Sequence, residues 1–278
     1  MSVRIIVDSA SDLTKERADA LNLDYMPLKT IFGETEYLDG VTISHKEFYE
    51  KLIECGTIPT TSQVSPHDFE AKFKEVKEAG DTAVVICLSS LLSGTYQSAH
   101  IALDGYEDCI TLNVCLGEQI LVLYAVKLRD EGLSAKEIAE KLEEKKKDVC
   151  VLAVFDTLEY LKQGGRISKT AAWAGNILSI KPVIAIEKGE VAILGKARGS
   201  KNGNNILIQE VKNKNGIDFS MPYMLGYSGL DDSLLRKYIA DSADLWTGQT
   251  KELPISTIGS TIGTHAGPGA ICVSFFHK

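Results

Sequence analysis

Short β-branched apolar runs alternate along the chain with longer segments whose apolar residues recur every three to four positions, the pattern of an α/β protein with a largely parallel sheet. Val3 to Val7 predicts the first strand, and Asp8-Ser9-Ala10-Ser11-Asp12 then falls in a strand-to-helix loop, where open α/β sheets place ligands. Thr30 to Leu38 predicts a small hairpin around Gly33-Glu34. Ser44 to Glu54 predicts a helix opened by a capping box between Ser44 and Glu47, and Ser65-Pro66 repeats the start signal with Ser65 as N-cap and Pro66 at the first helical position. Ala83 to Leu88 and Cys109 to Val114 predict further strands. Glu118 to Arg129 predicts a helix so apolar from Ile120 to Val126 that it is buried on most sides. Ser134 and Glu137 cap the next helix, whose inward face is Ala135, Ile138, Ala139 and Leu142, and the charged run Glu143 to Asp148 ends it.

The pattern restarts at Val149, which sets a domain boundary near Asp148 and divides the chain into 1–148 and 149–278. Val149 to Phe155 predicts a strand, and Thr157 to Gln163 a helix stopped at Gly164-Gly165. A short helix from Thr170 to Ser179 follows, then a strand pair, Pro182 to Ile186 and Glu190 to Leu194, turning at Lys188-Gly189. Asn204 to Lys214 and Asp231 to Ile239 predict helices on either side of a strand at Tyr223 to Tyr227. The chain closes with a strand at Ile255 to Ile258, a glycine-rich loop from Gly259 to Gly269, and a strand at Ala270 to Phe275.

A content of 44% apolar residues in 278 supplies an ample core. The formal charge of −8 argues against a general nucleic-acid or anionic-membrane role. Charge is nevertheless uneven: from Lys162 to Lys201 eight basic residues face only Glu187 and Glu190, which suits either a specific anionic partner or a solvated surface. The six cysteines form no C-x-x-C pair and have no histidine at metal-ligand spacing; Cys87, Cys109, Cys150 and Cys272 lie in or beside apolar runs and read as reduced packing residues. No signal sequence opens the chain and no apolar run reaches membrane-spanning length, so a cytoplasmic protein without stable membrane insertion is expected.

Three polar segments carry the candidate chemistry. Ser89 to Ala99 places hydroxyls and free N–H groups at a predicted helix N-terminus, where first-turn donors and the helix dipole favour an anion. Thr60-Thr61-Ser62-Gln63 lies just ahead of a helix, and Gly259 to Gly269 surrounds Thr264-His265 with glycines. Together they suit a small anionic group. His265 can donate a hydrogen bond or act as a base, and it can equally be a structural hydrogen-bonder. Asp8 and Asp12 read as helix caps rather than metal ligands or acid–base groups. No Walker A sequence, no G-x-G-x-x-G and no G-x-S-x-G elbow is present, so neither the usual nucleotide loops nor a hydrolase nucleophile at Ser93 is supported.

Seven motifs in order resemble the DegV family, the fatty acid-binding (FakB) subunits of bacterial fatty acid kinase: Asp8 to Asp12, Thr61 to Gln63, Ser89 to Ala99, Leu158 to Ile167, Lys181-Pro182, Gly195 to Gly199 and Ile262 to Gly269. The resemblance implies a two-domain α/β fold, a mostly parallel sheet in the first domain and a mixed second domain, with one long-chain fatty acid between them. It implies a carrier with no cofactor and no catalytic machinery of its own, which presents the carboxylate to a separate kinase subunit for ATP-dependent phosphorylation. By motif position Thr61, Ser93 and His265 resemble the carboxylate-binding group, completed by Ser62 and the Gly94 and Thr95 N–H groups. Arg166 and Arg198 resemble basic residues near the site mouth that engage the kinase or the phosphate. Asn113-Val114-Cys115 stands where relatives carry an Asp-Ser pair, which puts any headgroup role of that loop in doubt. Ile31-Phe32 and Ala171 to Leu178 are candidate tunnel walls. Two other readings remain open from the residues: a phosphotransferase with His265 as acceptor, and a lipid-sensing regulator that binds a protein through Lys162 to Lys201.

Overall fold

The apolar runs at Val3 and Ala83 are buried on both faces, as parallel strands in an α/β sheet must be: Ile5 to Val7 and Val84 to Ile86 are at most 1% exposed. The computed structural model describes residues 2–115, 117–167 and 180–278. The chain runs β1 (Val3–Asp8), α1 (Lys15–Ala20), β2 (Leu23–Met26), β3 (Lys29–Phe32), β4 (Thr35–Leu38), α2 (His45–Cys55), β5 (Thr60–Ser62), α3 (Pro66–Glu78), β6 (Thr82–Leu88), α4 (Thr95–Ala102), β7 (Ile110–Cys115), α5 (Glu118–Asp130) and α6 (Ala135–Lys145). Strands β2-β1-β6-β7 form an all-parallel sheet. Leu121, Ala125, Ile138 and Leu142 of α5 and α6 pack against Ile5, Val7, Val84 and Ile86 on one face. Phe69, Phe73 and Ala99 of α3 and α4 pack against Ile6, Ala83 and Val85 on the other.

Beyond α6 come β8 (Val149–Val154), α7 (Glu159–Gln163), β9 (Ile180–Glu187), β10 (Glu190–Arg198), α8 (Ser200–Asn213), β11 (Met224–Tyr227), α9 (Ser233–Asp241), α10 (Ala243–Trp246), β12 (Ile255–Thr257), α11 (Ser260–Ala266) and β13 (Ile271–Phe276). They build a mixed sheet of order β10-β9-β8-β13-β11-β12, parallel only between β11 and β12. Leu207, Val211, Leu235 and Tyr238 of α8 and α9 cover one face. The opposite face presents Ala153, Phe155 and Ile184 toward Leu161 of α7 and Ala266 of α11. The α/β architecture with one parallel and one mixed sheet is as expected. The predicted helix at Thr170 to Ser179 and the wall residues Ala171 to Leu178 lie outside the described residues.

Two elements and several side chains differ from the sequence reading. The glycine-rich segment is not a loop: Ser260 to Ala266 is α11. Its start is fixed from far away, because the Asp39 carboxylate accepts the N–H groups of Ser260 at 3.0 Å and Thr261 at 3.1 Å. Its mid-helix Gly263 fits because a Cβ there would lie 2.5 Å from the Tyr49 hydroxyl and 2.8 Å from the Phe48 ring. Thr60 to Ser62 is a strand, with Thr61 opposite Thr30 and Ser62 opposite Lys29, in a small sheet of order β4-β3-β5. Phe32 faces the rings of Tyr37 and Phe48 rather than a ligand channel. Cys87 and Cys150 are buried thiols, while Cys109 and Cys272 are only partly so.

Several side chains tie the two large sheets together. Ser89 donates to the Gly189 carbonyl at the tip of the β9–β10 hairpin at 2.9 Å. Asp12 accepts the Gly259 N–H at 2.7 Å, and Tyr49 donates to the Ile258 carbonyl at 3.0 Å. Asp8 caps the turn after β1 through Ala10 N–H and also accepts Leu88 N–H at 2.9 Å. The two aspartates therefore hold backbone N–H groups, Asp8 as the expected cap and Asp12 across the sheets.

Candidate functional site

The three polar segments meet. Thr61 and Ser62 on β5, Gln63 after it, Ser93 and Gly94 before α4, and Thr261 and His265 on α11 line one cavity of about 340 Å³. Leu88, Leu92, Phe155, Leu161, Ile184, Ile186 and Val191 supply its apolar wall. A size of this order, mostly apolar walls and a few convergent polar groups are the attributes of a small-molecule site. Thr261 and His265 share a helical face at i and i+4, a pairing the sequence shows only if the segment is recognised as helix.

Thr61 Oγ1 lies 3.0 Å from His265 Nε2. Nδ1 of the same ring is buried without a hydrogen-bond partner among the described residues, and it rests on Gly164, where a Cβ would collide with the ring. Burial, aided by the positive charge of Arg166, lowers the imidazole pKa to about 4, so His265 is neutral near pH 7. A proton on Nδ1 would have no acceptor. The tautomer that fits carries it on Nε2, donates to Thr61 Oγ1, and turns the Thr61 hydroxyl hydrogen toward the cavity.

Ser93 is oriented in the same way. Its Oγ lies 2.9 Å from Thr95 Oγ1 and accepts the Thr95 N–H at 3.3 Å. Thr95 itself is fully buried behind Ser93 and is not on the cavity surface, so it acts by positioning. Gln63 donates to Ser98 Oγ at 2.7 Å, and its amide lies against Gly94, where a side chain would displace it. Arg166 stands at the cavity edge, with Nε donating to the Leu92 carbonyl at 3.1 Å and Nη1 to the Gly164 carbonyl at 2.7 Å. Arg198 is exposed at the end of β10 and does not line the cavity. Asn113 is buried and donates to the Ala139 carbonyl of α6 at 3.4 Å, so it too stands apart from the headgroup cluster.

A second chamber of about 160 Å³ shares Leu88, Leu92, Phe155, Ile184, Ile186, Ile262 and Ala266 with the first and is lined also by Asp12, Glu118, Gln119 and Met224. Burial raises the Asp8 carboxyl to about 7 and pushes Asp12 and Glu118 far above the usual carboxylate range, the other carboxylates adding to the effect. Sequence reasoning missed Glu118 as a cavity residue, since it reads as an acid in the first turn of a helix. A wider groove of about 690 Å³ beside Ser89 to Leu91 is rimmed by Lys146, Lys147, Lys188 and Lys214 and holds none of the Thr61–His265 cluster. Among the described residues no helix is long and apolar enough to cross a membrane, and no group of His, Cys, Asp and Glu is arranged to hold a metal.

A family model described as an uncharacterised protein of the DegV family matches residues 2–278. A DegV domain-containing protein of Clostridium perfringens is 35% identical over 285 residues, covering 98% of this chain and 96% of its own length. Among solved structures, a fatty acid-binding DegV family protein from Thermus thermophilus superposes with a TM-score of 0.88 at 30% identity, covering 100% of both chains. A stearic acid-binding protein from Eubacterium ventriosum gives a TM-score of 0.83 at 28% identity, covering 99% of this chain and 97% of its own.

Proposed function

Since the chain belongs to the DegV family, we propose that it binds one long-chain fatty acid between its units 1–148 and 149–278. The carboxylate lies at Thr61, Ser62, Ser93, the Gly94 N–H and His265, and the acyl tail lies in the apolar chambers. The observation that carries this reading is the apolar wall, Phe155 and Ile184 included, that the chamber of oriented hydroxyls shares with its neighbour. The fatty acid binding described for the Thermus thermophilus and Eubacterium ventriosum proteins supports it. Burying roughly fifteen methylenes at about 0.8 kcal/mol each offers roughly 12 kcal/mol before association and ordering losses. The headgroup contacts orient the acid, because an unpaired buried carboxylate is costly.

In the same proposal the chain is a carrier. A separate kinase subunit transfers the terminal phosphoryl group of ATP to a carboxylate oxygen, giving acyl phosphate and ADP, in the cytoplasm where ATP is supplied. Arg166 at the cavity edge and the exposed Arg198 are the proposed contacts for the phosphate or the partner. A phosphotransferase reading with His265 as acceptor has less support: Nε2 is engaged by Thr61, and Nδ1 faces Gly164 at a point too tight even for a Cβ.

Mass spectrometry of protein purified from a bacterial host is expected to find a stoichiometric fatty acid. A lipid-free protein that takes up neither palmitate nor oleate would sink the binding reading. Label from ATP is expected to reach bound acid only when a kinase subunit is added; label on the isolated protein would favour the His265 phosphotransferase instead.

A further inference from the structure

Glu118 is the misfit of the interior. It opens α5, a helix whose Ile120 to Val126 stretch is almost wholly apolar, yet it is only 3% exposed. The chain has little choice about its direction: Gly117 has φ +61°, and a Cβ there would lie 2.8 Å from Val149 and 2.9 Å from Val151, so the helix start is pressed against β8. Both carboxyl oxygens are buried with no hydrogen-bond partner of good geometry among the described residues, the Asp8 backbone acting on them only weakly. The residue lines the second chamber, beside Asp12, Ser11 and Gln119. Asp12 is already engaged by the Gly259 N–H and Gln119 by Ser256 at 3.3 Å, which leaves Glu118 as the least satisfied of these groups.

A carboxyl group left unpaired in an apolar interior costs stability, and buried polar atoms in native proteins nearly always have partners. A ligand group lying in the chamber can supply that partner. Resting on the fatty acid reading above, the geometry points to an acyl ligand with a hydroxyl at or near its distal end, received by Glu118 while the carboxylate stays at Thr61 and Ser93. A hydroxyl both donates and accepts, so it matches a carboxyl that is protonated by burial among Asp8 and Asp12. An ammonium would suit the local acids, but it would have to pass the Phe155 and Ile184 wall as a full charge. A plain methyl end would leave the Glu118 oxygens as bare as before. The chamber therefore selects the chemistry of the tail, while the headgroup cluster accepts any acid.

The test uses the delipidated full chain and pairs of saturated acids of twelve, fourteen and sixteen carbons, each with and without an ω-hydroxyl, competing against a fluorescent fatty acid. At the length that reaches Glu118 the hydroxylated acid is expected to bind about tenfold more tightly than its parent, the usual effect of satisfying one buried polar group. Glu118→Gln keeps a donor and an acceptor and is expected to retain the preference. Glu118→Leu is expected to remove it, to bind the parent acid more tightly than wild type, and to raise the melting temperature. If parent acids bind but no length favours the hydroxyl, or if Glu118→Leu keeps the preference, this inference falls while the fatty acid reading stands. If no acid of either kind binds, both fall.

Discussion

At the outer end of the cavity three polar side chains are held by neighbours, Thr61 by His265, Ser93 by Thr95 and Gln63 by Ser98, whereas at the other end neither oxygen of Glu118 has a hydrogen-bond partner of good geometry among the described residues. The outer group is ordered before any ligand arrives, so little freedom is lost when a carboxylate binds there. The inner group is incomplete until something fills it. On the proposed function one end fixes position and the other responds to what the ligand carries.

The largest effect expected from breaking this division is at the wall between the ends. Ile184→Asp sets a charge in the passage common to both chambers, and displacement assays are expected to show at least about a hundredfold loss of fatty acid affinity with the fold retained by circular dichroism.

Next comes the pH response of the outer end. His265 has its pKa lowered to about 4 in the fold against about 6.5 unfolded, so between these values the unfolded chain binds the extra proton. Stability tied to this residue is full above pH 6.5 and is lost as pH falls toward 4. Wild type is expected to lose about 1 to 3 kcal/mol relative to His265→Gln between pH 7 and pH 4.5, measured by urea unfolding. Asp8, raised to about 7, acts with the opposite sign, which is why the comparison is made against the His265 variant and not read from the wild-type curve alone.

A smaller effect is expected of Thr61→Val, which keeps the shape, removes the hydroxyl and leaves His265 Nε2 unpaired: about tenfold weaker fatty acid binding at unchanged chain-length preference. The smallest is that of Gly94→Ala. The new methyl displaces the exposed Gln63 amide and costs its bond to Ser98, for about a two- to threefold loss by the same assay.

Much of the outer end was legible in the sequence, because threonine, serine and histidine next to helix starts and glycines carry their chemistry openly. Thr61, Ser62, Ser93, Gly94 and His265 do share one surface. The channel wall was not legible. Phe155, Ile184 and Ile186 are the same residue types, on the same kind of strands, as the core residues Leu152 and Val183 that face away from it. Alternation along a strand separates the two faces without saying which one is hollow. The helix of His265 was hidden by its glycines, whose local cost is offset by a carboxylate more than 200 positions earlier and by rings that need the room. Strand β5 was hidden because Thr60 to Ser62 has no apolar alternation; its pairing with β3 makes it a strand.

The bare α-carbon of Gly164 leaves the imidazole of His265 the room it occupies, where a Cβ would lie 2.1 Å from Nδ1. Alanine at that position would evict the ring and unhook Thr61 while every polar side chain remained in the sequence. Part of the proposed acid-binding chemistry is thus written in a residue with no side chain, on a different helix end from any of the proposed ligand contacts. Comparing relatives by their threonines, serines and histidines alone would misjudge which of them can hold an acid; position 164 is where such a comparison should begin.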